Sequence, residues 1–358
     1  MTRSAPDHLT PFAYFGGYLA TDLVEVADLA ANPGALEHGW WAVCATFEGA
    51  ITGYRFAHVT VEPMSAARAP WPGIDVPWRT SMDRAEYVRG VGEIRRRIAR
   101  GDVYQVNLCR LLTADLEASE AELNDELGSA RADEYDPLAL AHILADGNPA
   151  QYQGVLDTGI EWIVTASPEL FLQRDGDELI SSPIKGTAPP GELFAAKDTP
   201  ENVMICDLVR NDLGKVATTG SVQVTKLLSR EELPGLAHLV STVRVQVRSE
   251  AGWREVLAAT LPPGSVSGAP KHTALQAISD LESVSRGPYC GAIGYVDGDR
   301  SVASLAVGIR TFFTSHGRRQ LNFGTGAGIT YLSDAEAEWA ETELKAARLI
   351  ALASEPNC

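Results

Sequence analysis

Cysteine is scarce in this chain of 358 residues, and positive charge is outnumbered. The five cysteines are scattered without a C-x-x-C pair, which excludes a disulfide framework and a thiolate zinc site. The 30 lysines and arginines are exceeded by 47 acids, giving a formal net charge of -17. That charge repels phosphate backbones and anionic lipid, so nucleic-acid binding is disfavoured. An anionic substrate would require local positive charge or a metal ion.

Long apolar runs are also missing. The first seven residues lack the apolar stretch of a secretory signal, and no segment is long and uncharged enough to cross a bilayer. We therefore predict a cytoplasmic protein that does not enter membranes. The hydrophobic fraction of 45% is ordinary for a globular protein. We interpret residues 1–358 as one domain, with a short β-rich part over about 1–75 and a catalytic core over about 80–353.

Regular periodicity begins after the β-rich part. Apolar residues at helical spacing predict a helix over residues 80–100 that ends at Gly101. Residues 103–109 then alternate as a strand, which places the polar side chain of Gln105 on one face. An acidic, alanine-containing segment at 117–136 is interpreted as an exposed helix.

Two further helices carry acids close to their starts. Thr199 is predicted to cap a helix whose first turn contains Glu201. The last helix is predicted to start with a capping box from Ser333, and its Glu338 and Glu341 project from one face. Carboxylates from two helices form a set that suits Mg²⁺, although acids on helix surfaces are also ordinary solvated charges.

Two turn-like segments bear candidate chemistry. Lys185 lies in PIKGT at 183–187, where an amine between apolar residues and a glycine can be desolvated and used as a nucleophile. These five residues alone leave open that Lys185 is an ordinary solvated charge. The glycine-rich residues 324–328 could accept a carboxylate through backbone N–H groups, and tight-turn chemistry explains them equally.

Ten short segments, taken together and in order, carry a family resemblance. They are FGGYL at 15–19, GDVYQVNL at 101–108, SPELF at 167–171, PIKGT at 183–187, ENVMICDLVRNDLG at 201–214, HLVST at 238–242, GSVSGAPK at 264–271, RGPYCG at 286–291, IRT at 309–311 and GAGI at 326–329. This set resembles the chorismate-utilising enzymes from about residue 15 to the C terminus. The resemblance implies an α+β fold in which antiparallel β-sheets form a sandwich, helices pack outside and the site lies in the cleft between the sheets.

The resemblance also implies a Mg²⁺-dependent enzyme that acts on chorismate, a cyclohexadiene with a ring carboxylate, an enolpyruvyl carboxylate and a C4 hydroxyl. At the family positions, Glu201 and Glu341 bind the metal, with Glu338 and Asp198 nearby. Asp198 stands where the family usually has a longer glutamate. Lys345 matches a lysine that assists at the ring carboxylate.

The remaining site residues are likewise implied by the resemblance. Glu169 matches the general acid that protonates the departing hydroxyl, and Lys185 matches the nucleophile. The residues implied to contact the substrate are Gln105, Gly186, Thr187, His238, Tyr289, Arg310, Gly326, Ala327, Gly328 and Lys345. Of these, Tyr289, Arg310 and the 326–328 backbone would hold the enolpyruvyl carboxylate, which suits the planar fork of an arginine.

Two positions separate the reactions of this family. Members that form isochorismate or salicylate carry a water-activating lysine where this chain has Gln105. Members that form anthranilate or aminodeoxyisochorismate carry alanine where it has Lys185. The resemblance therefore implies amination at C4: the Lys185 amine adds at C2, and ammonia then displaces it. The alternatives are anthranilate or aminodeoxyisochorismate formation and a non-catalytic chorismate-binding subunit.

Ammonia is supplied in this family by a glutamine amidotransferase subunit. The chain shows no such domain, so the resemblance implies a separate amidotransferase partner. The expected product, 4-amino-4-deoxychorismate, leads to p-aminobenzoate for folate or for specialised metabolites.

Overall fold

The computed structural model describes residues 10–116, 135–189, 191–233 and 236–356. Within them, antiparallel strands are the commonest regular structure, and α-helices pack against these strands. The strands in chain order are β1 (Phe12–Phe15), β2 (Tyr18–Asp28), β3 (Trp40–Ala45), β4 (Ile51–Val61), β5 (Arg79–Thr80), β6 (Gln105–Asp115), β7 (Tyr152–Asp157), β8 (Trp162–Ser167), β9 (Leu170–Asp175), β10 (Glu178–Ser182), β11 (Ile184–Ala188), β12 (Gln223–Leu233), β13 (Leu236–Gln246), β14 (Gly268–Ala269), β15 (Ala292–Asp297), β16 (Val302–Val307), β17 (Thr311–Ser315) and β18 (Gln320–Ile329).

The strands are joined into one continuous network in which every pairing is antiparallel. The order is β6–β18–β17–β8–β7–β1–β2–β4–β3–β15–β16–β9–β10–β13–β12. β11 also pairs with β13, and β5 and β14 pair with β6. The predicted α+β fold with antiparallel sheets is confirmed, and strands distant in sequence become neighbours.

The helices are α1 (Arg84–Arg100), α2 (Pro137–Gly147), α3 (Asp198–Gly214), α4 (Trp253–Thr260), α5 (Lys271–Leu281) and α6 (Ala335–Ser354). Short 3-10 turns cover Pro33–Glu37 and Gly264–Val266. The predicted first helix is confirmed as α1, which begins after a capping box between Asp83 and Glu86 and ends at Gly101 in the left-handed conformation. Its start lies beyond Thr80, which belongs to β5.

The predicted starts of the other two helices are wrong by one or two residues. Lys197 already has helical backbone angles, so α3 begins at Asp198 and Thr199 does not cap it. Asp334, and not Ser333, caps α6 by accepting a hydrogen bond from the backbone of Ala337. The Ser333 hydroxyl is used elsewhere, because it donates to Glu338 Oε1 at 2.7 Å.

The two turn-like predictions are also wrong, since both segments are strands. Lys185 lies in β11, which pairs with β13 across a register shift between Ile184 and Thr187. Residues 324–328 lie inside β18, paired with β6. The glycines there serve close packing: a Cβ at Gly324 would collide with the ring of Tyr289. Of the helix predicted over 117–136, residues 117–134 lie outside the described residues, and Asp136 caps α2.

Two hydrophobic cores support this network. The larger gathers residues from β3, β6, β15 and β16 together with α1 and α3, and the smaller lies around Trp71, Trp162 and Phe312. Cys44, Cys109, Cys206 and Cys290 are buried and unbridged, as expected for small apolar residues. None of the helices in the described ranges has the length and apolar character needed to cross a membrane.

Candidate active site

The site lies where β11 approaches the β6–β18 pair, and Lys185 marks its centre. A Cβ at Gly328 would collide with the side-chain amide nitrogen of Gln105 and lie 3.5 Å from Lys185 Nζ. Gln105 is buried, and no group in the described residues pairs with its Oε1. The absence of a side chain at Gly328 therefore lets an amide and a half-buried amine converge on one strand.

Glu169 forms the buried acidic wall of this site. It sits between β8 and β9 and is 4% exposed, with Ser265 and the backbone of Ile184 as hydrogen-bond partners. Burial raises the pKa of Glu169 to about 7, although Ser265 and the charge of Lys185 oppose the shift. A carboxyl that retains its proton near neutrality beside an amine can act as a general acid.

His238, on β13, faces the same cleft in its neutral form. Its Nδ1 lies 3.0 Å from Thr187 Oγ1, and its Nε2 is buried without a partner in the described part of the chain. Burial, with the charge of Arg310 as the next cause, lowers the pKa of His238 to about 4. The imidazole thus offers a hydrogen-bonding nitrogen to a ligand without adding charge.

Arg310 is a cation of the site for which the described residues provide no ion-pair partner. It precedes β17 with a φ of +52°, and burial lowers the pKa of its guanidinium. No carboxylate in the described ranges forms an ion pair with it. A desolvated guanidinium without a protein anion favours binding of a ligand carboxylate.

The backbone of residues 326–328 offers further donors close by. β17 pairs only with residues 320–323 of β18, so the end of β18 has a strand neighbour on one side alone within the described residues. Tyr289 packs on this strand and receives a hydrogen bond at 3.7 Å from Cys109 Sγ. Backbone N–H groups on this open side of the strand suit a second anchor for the anion that Arg310 would bind.

Four acids predicted to serve a metal come from two helices. Asp198 and Glu201 lie in the first turn of α3, and Glu338 and Glu341 lie on α6. Glu201 Oε1 and Glu338 Oε2 are buried and have no hydrogen-bond partner among the described residues. Orphaned carboxylate oxygens are costly to bury, and oxygen donors are those that Mg²⁺ prefers. The residues present therefore fit a divalent cation.

Two lysines pair with the other carboxylate oxygens of the α6 acids. Lys197 Nζ lies 3.2 Å from Glu338 Oε1 and 3.0 Å from Glu341 Oε2. Lys345 Nζ lies 2.7 Å from Glu341 Oε1 and 3.1 Å from the carbonyl oxygen of Gly326. In the described part of the chain, no three acidic, histidine or cysteine side chains converge as a ready metal cluster.

The pKa values of two of these acids shift in opposite directions. Burial raises the pKa of Glu201, and the charges of Lys185 and Lys197 oppose that shift. Burial also acts on Glu341, but Lys345 and Lys197 outweigh it and lower the pKa of Glu341 to about 2. Glu341 is therefore ionised near neutral pH.

Asp198 packs against β11 next to Lys185. A Cβ at Gly186 would lie 2.9 Å from Asp198 Cβ, and Gly186 has a φ of +97°. Asp198 Oδ2 accepts a hydrogen bond of 2.9 Å from the backbone of Ala195, and burial raises the pKa of this carboxyl. A glycine is thus required beside Lys185 both by conformation and by space.

Sequence reasoning missed two groups that the structure brings to the site. Lys197 bridges the acids of α6, and Ser265 contacts Glu169 from the 3-10 turn. Lys197 adjoins Asp198 in sequence, but no periodic pattern indicates that its amine reaches another helix. Ser265 lies within the GSVSGAPK segment. The motif therefore points to this segment but does not indicate that Ser265 contacts Glu169.

Comparison with known proteins identifies the family of the chain. Residues 55–351 match the chorismate binding enzyme family. Aminodeoxychorismate synthase component 1 of Escherichia coli is 34% identical over 285 residues, 76% of this chain and 58% of the relative. Anthranilate synthase component 1 of Thermus thermophilus is 34% identical over 302 residues, 79% of this chain and 61% of the relative. The chain thus spans about three-fifths of these relatives.

Solved structures share the fold. Anthranilate synthase component I of Streptococcus pneumoniae superposes with a TM-score of 0.74 at 22% identity, covering 98% of this chain and 94% of that one. The menaquinone-specific isochorismate synthase of Escherichia coli gives 0.74 at 18% identity, covering 97% and 89%. With a family match across most of its length and relatives above 30% identity, this chain belongs to the chorismate binding enzymes.

Proposed function

We propose that this chain is the chorismate-aminating component of an aminodeoxychorismate synthase. It would convert chorismate and ammonia to 4-amino-4-deoxychorismate. The observation that carries the proposal is the convergence of Lys185 and Gln105 over Gly328, within electrostatic range of Glu169. This places a primary amine, a neutral amide and a protonatable acid around one small space.

Lys185 and Gln105 also favour this reaction over its family alternatives. Water activation needs a base, and the amide of Gln105 is not one. Direct attack of ammonia at C2 needs an open position, which the Lys185 side chain fills. Relatives at equal identity include both aminodeoxychorismate and anthranilate synthases, so overall similarity does not discriminate between them.

The first step is the addition of Lys185 to the substrate ring. The neutral amine forms a C–N bond at C2, the ring double bonds shift, and the C4–O bond breaks. Glu169 gives its proton to the departing hydroxyl, which leaves as water. Burial of Glu169 keeps that proton available near pH 7.

In the second step, ammonia displaces the Lys185 amine. Ammonia forms a bond at C4, the double bonds shift back, and the C2–N bond breaks so that Lys185 leaves as an amine, while the Glu169 carboxylate takes back a proton released from the attacking nitrogen. Gln105 and His238 line the ring and keep it oriented without adding charge. Two displacements therefore replace one direct substitution of the C4 hydroxyl by ammonia, which would have to retain the configuration at C4.

The substrate carboxylates have separate positions in this account. Arg310, Tyr289 and the backbone of 326–328 bind the enolpyruvyl carboxylate. The ring carboxylate faces Lys345 and the acids of α3 and α6. Mg²⁺ held by Glu201, Glu341 and Glu338 would offset the charge of that carboxylate.

The proton on Glu169 predicts a pH dependence. A carboxyl with a pKa of about 7 loses its proton above that value, so the contribution of Glu169 to the rate of chorismate consumption should fall as pH rises above about 7, opposite to the requirement that the Lys185 amine be neutral. Glu169→Gln should cut turnover at least about 100-fold and remove this limb of the profile. Glu161→Gln, in the turn after β7, is the matched control and should retain the turnover and the pH profile of the parent. A Glu169→Gln enzyme with the parent profile would contradict the assignment.

The source of nitrogen provides another test. The isolated chain should use ammonium but not glutamine, because its described cysteines are buried and none lies in a glutaminase nucleophile motif. Adding a glutamine amidotransferase subunit should confer glutamine use. Product formation is followed by mass spectrometry and NMR with each nitrogen donor. Robust glutamine-dependent turnover by the chain alone would overturn the expected partnership.

A further inference from the structure

Lys197 occupies the centre of the acidic group on α6, and the reaction described above gives it no role. Its amine lies 3.2 Å from Glu338 Oε1 and 3.0 Å from Glu341 Oε2. Glu338 is almost fully buried, and the Lys197 side chain is 36% exposed. Lys197 thus reaches from the surface into the space between two carboxylates.

The carboxylate oxygens around Lys197 are almost fully used. Glu338 Oε1 also accepts a hydrogen bond of 2.7 Å from Ser333, and Glu341 Oε1 pairs with Lys345. Among the buried carboxylate oxygens of the described residues, Glu338 Oε2 and, across the cleft, Glu201 Oε1 have no partner. A cation that takes both α6 acids as ligands must therefore compete with the Lys197 amine.

The electrostatics explain why an amine sits there. Glu338 and Glu341 are three residues apart on one helix, so their like charges repel. Glu201 adds a third acid, since it interacts with both Glu338 and Lys197. Without a metal, an internal cation is the means by which these acids stay close together.

We propose that Lys197 is a resident counter-ion that Mg²⁺ displaces from Glu338 and Glu341. The inference rests on the proposed metal site and adds an exchange of one cation for another. While Lys197 is paired with these acids, they are not free to bind a metal. The apparent Mg²⁺ affinity is therefore the intrinsic affinity multiplied by the fraction of molecules in which Lys197 is released. Because Lys197 directly precedes α3, metal binding also frees the chain at 191–197 from its anchor on α6.

The test is calorimetric titration of Mg²⁺ into the chain without chorismate, at about pH 8. Lys197→Met should bind Mg²⁺ at least about ten-fold more tightly than the parent, because the acids no longer have a competitor. Lys197→Arg restores a cation and should bind like the parent. Lys226→Met removes an equal charge from an exposed pair with Glu231 and should also bind like the parent.

The outcomes separate this inference from the proposed function. If the parent binds Mg²⁺ and Lys197→Met binds it equally or more weakly, the counter-ion role is overturned and the metal site stands. If Lys197→Arg tightens binding as much as Lys197→Met, the bridge is not the cause and the inference also fails. If neither the parent nor Lys197→Met binds Mg²⁺, both proposals fall.

A measurement on the parent alone covers the case in which Lys197→Met does not fold. Hydrogen–deuterium exchange of the backbone at 191–197 should accelerate when Mg²⁺ is added, because the Lys197 amine loses its partners on α6. Exchange at 223–233, on β12, should not change. An unchanged or slower rate at 191–197 with Mg²⁺ bound would overturn the inference.

Discussion

Lys185→Ala should lower formation of 4-amino-4-deoxychorismate by at least about a thousand-fold, corresponding to about 4 kcal/mol in the activation barrier. The amine is the group that bonds to C2, so its removal leaves no route to the covalent intermediate. Lys185 is not among the expected ligands of either substrate carboxylate. Chorismate and Mg²⁺ binding should therefore persist, and the loss should fall on kcat. Steady-state kinetics with ammonium and calorimetric chorismate binding check both parts.

The same variant should change the product. Without the lysine side chain, ammonia gains access to C2, and a trace of aminodeoxyisochorismate or anthranilate should appear. Lys185→Arg keeps the charge but provides no nucleophilic amine, and it should be as inactive as Lys185→Ala. Lys226→Ala, at an exposed ion pair on β12, should behave like the parent. Parent-rate formation of 4-amino-4-deoxychorismate by Lys185→Ala would remove the covalent mechanism.

The second large effect is expected at the acids of α3 and α6. Glu201→Gln or Glu341→Gln should weaken Mg²⁺ binding and lower turnover at least about ten-fold, about 1.4 kcal/mol. Each substitution removes a charge that offsets the cation, and Glu201 also contributes an orphaned buried oxygen. Calorimetric Mg²⁺ titration and initial rates against Mg²⁺ concentration measure the two effects.

The matched control for these variants lies on the same helix. Glu336 is exposed on α6 and pairs with Arg84, so Glu336→Gln removes an equal charge outside the cleft. It should bind Mg²⁺ and turn over like the parent. If Glu341→Gln also does so, the metal site does not include Glu341.

Sequence reasoning predicted the elements that local patterns determine. The α1 stop at Gly101 follows from its left-handed backbone, and β6 follows from the alternation after it. Lys185 and residues 324–328 were predicted as turns because proline and glycine usually mark them. Both segments are strands because β13 and β6 supply partners from far along the chain.

The sequence motifs indicate the residues of the candidate site but not their contacts. The motifs point to Glu169, Lys185 and the α6 acids, but no local pattern reports the burial that raises the pKa of Glu169 to about 7. The pairing of Lys197 with Glu341 joins residues 144 positions apart. Such contacts depend on how α3 and α6 meet, which is a property of the packed chain.

The covalent role of Lys185 is tested most directly by intact-protein mass spectrometry. The parent is incubated with chorismate and Mg²⁺ in the absence of ammonia, so that the first displacement can occur and the second cannot. We expect a species heavier by the mass of chorismate less one water, located at Lys185 by peptide mapping and absent from Lys185→Ala. An unmodified parent under conditions that support turnover once ammonium is added, or an equal adduct on Lys185→Ala, would contradict the account.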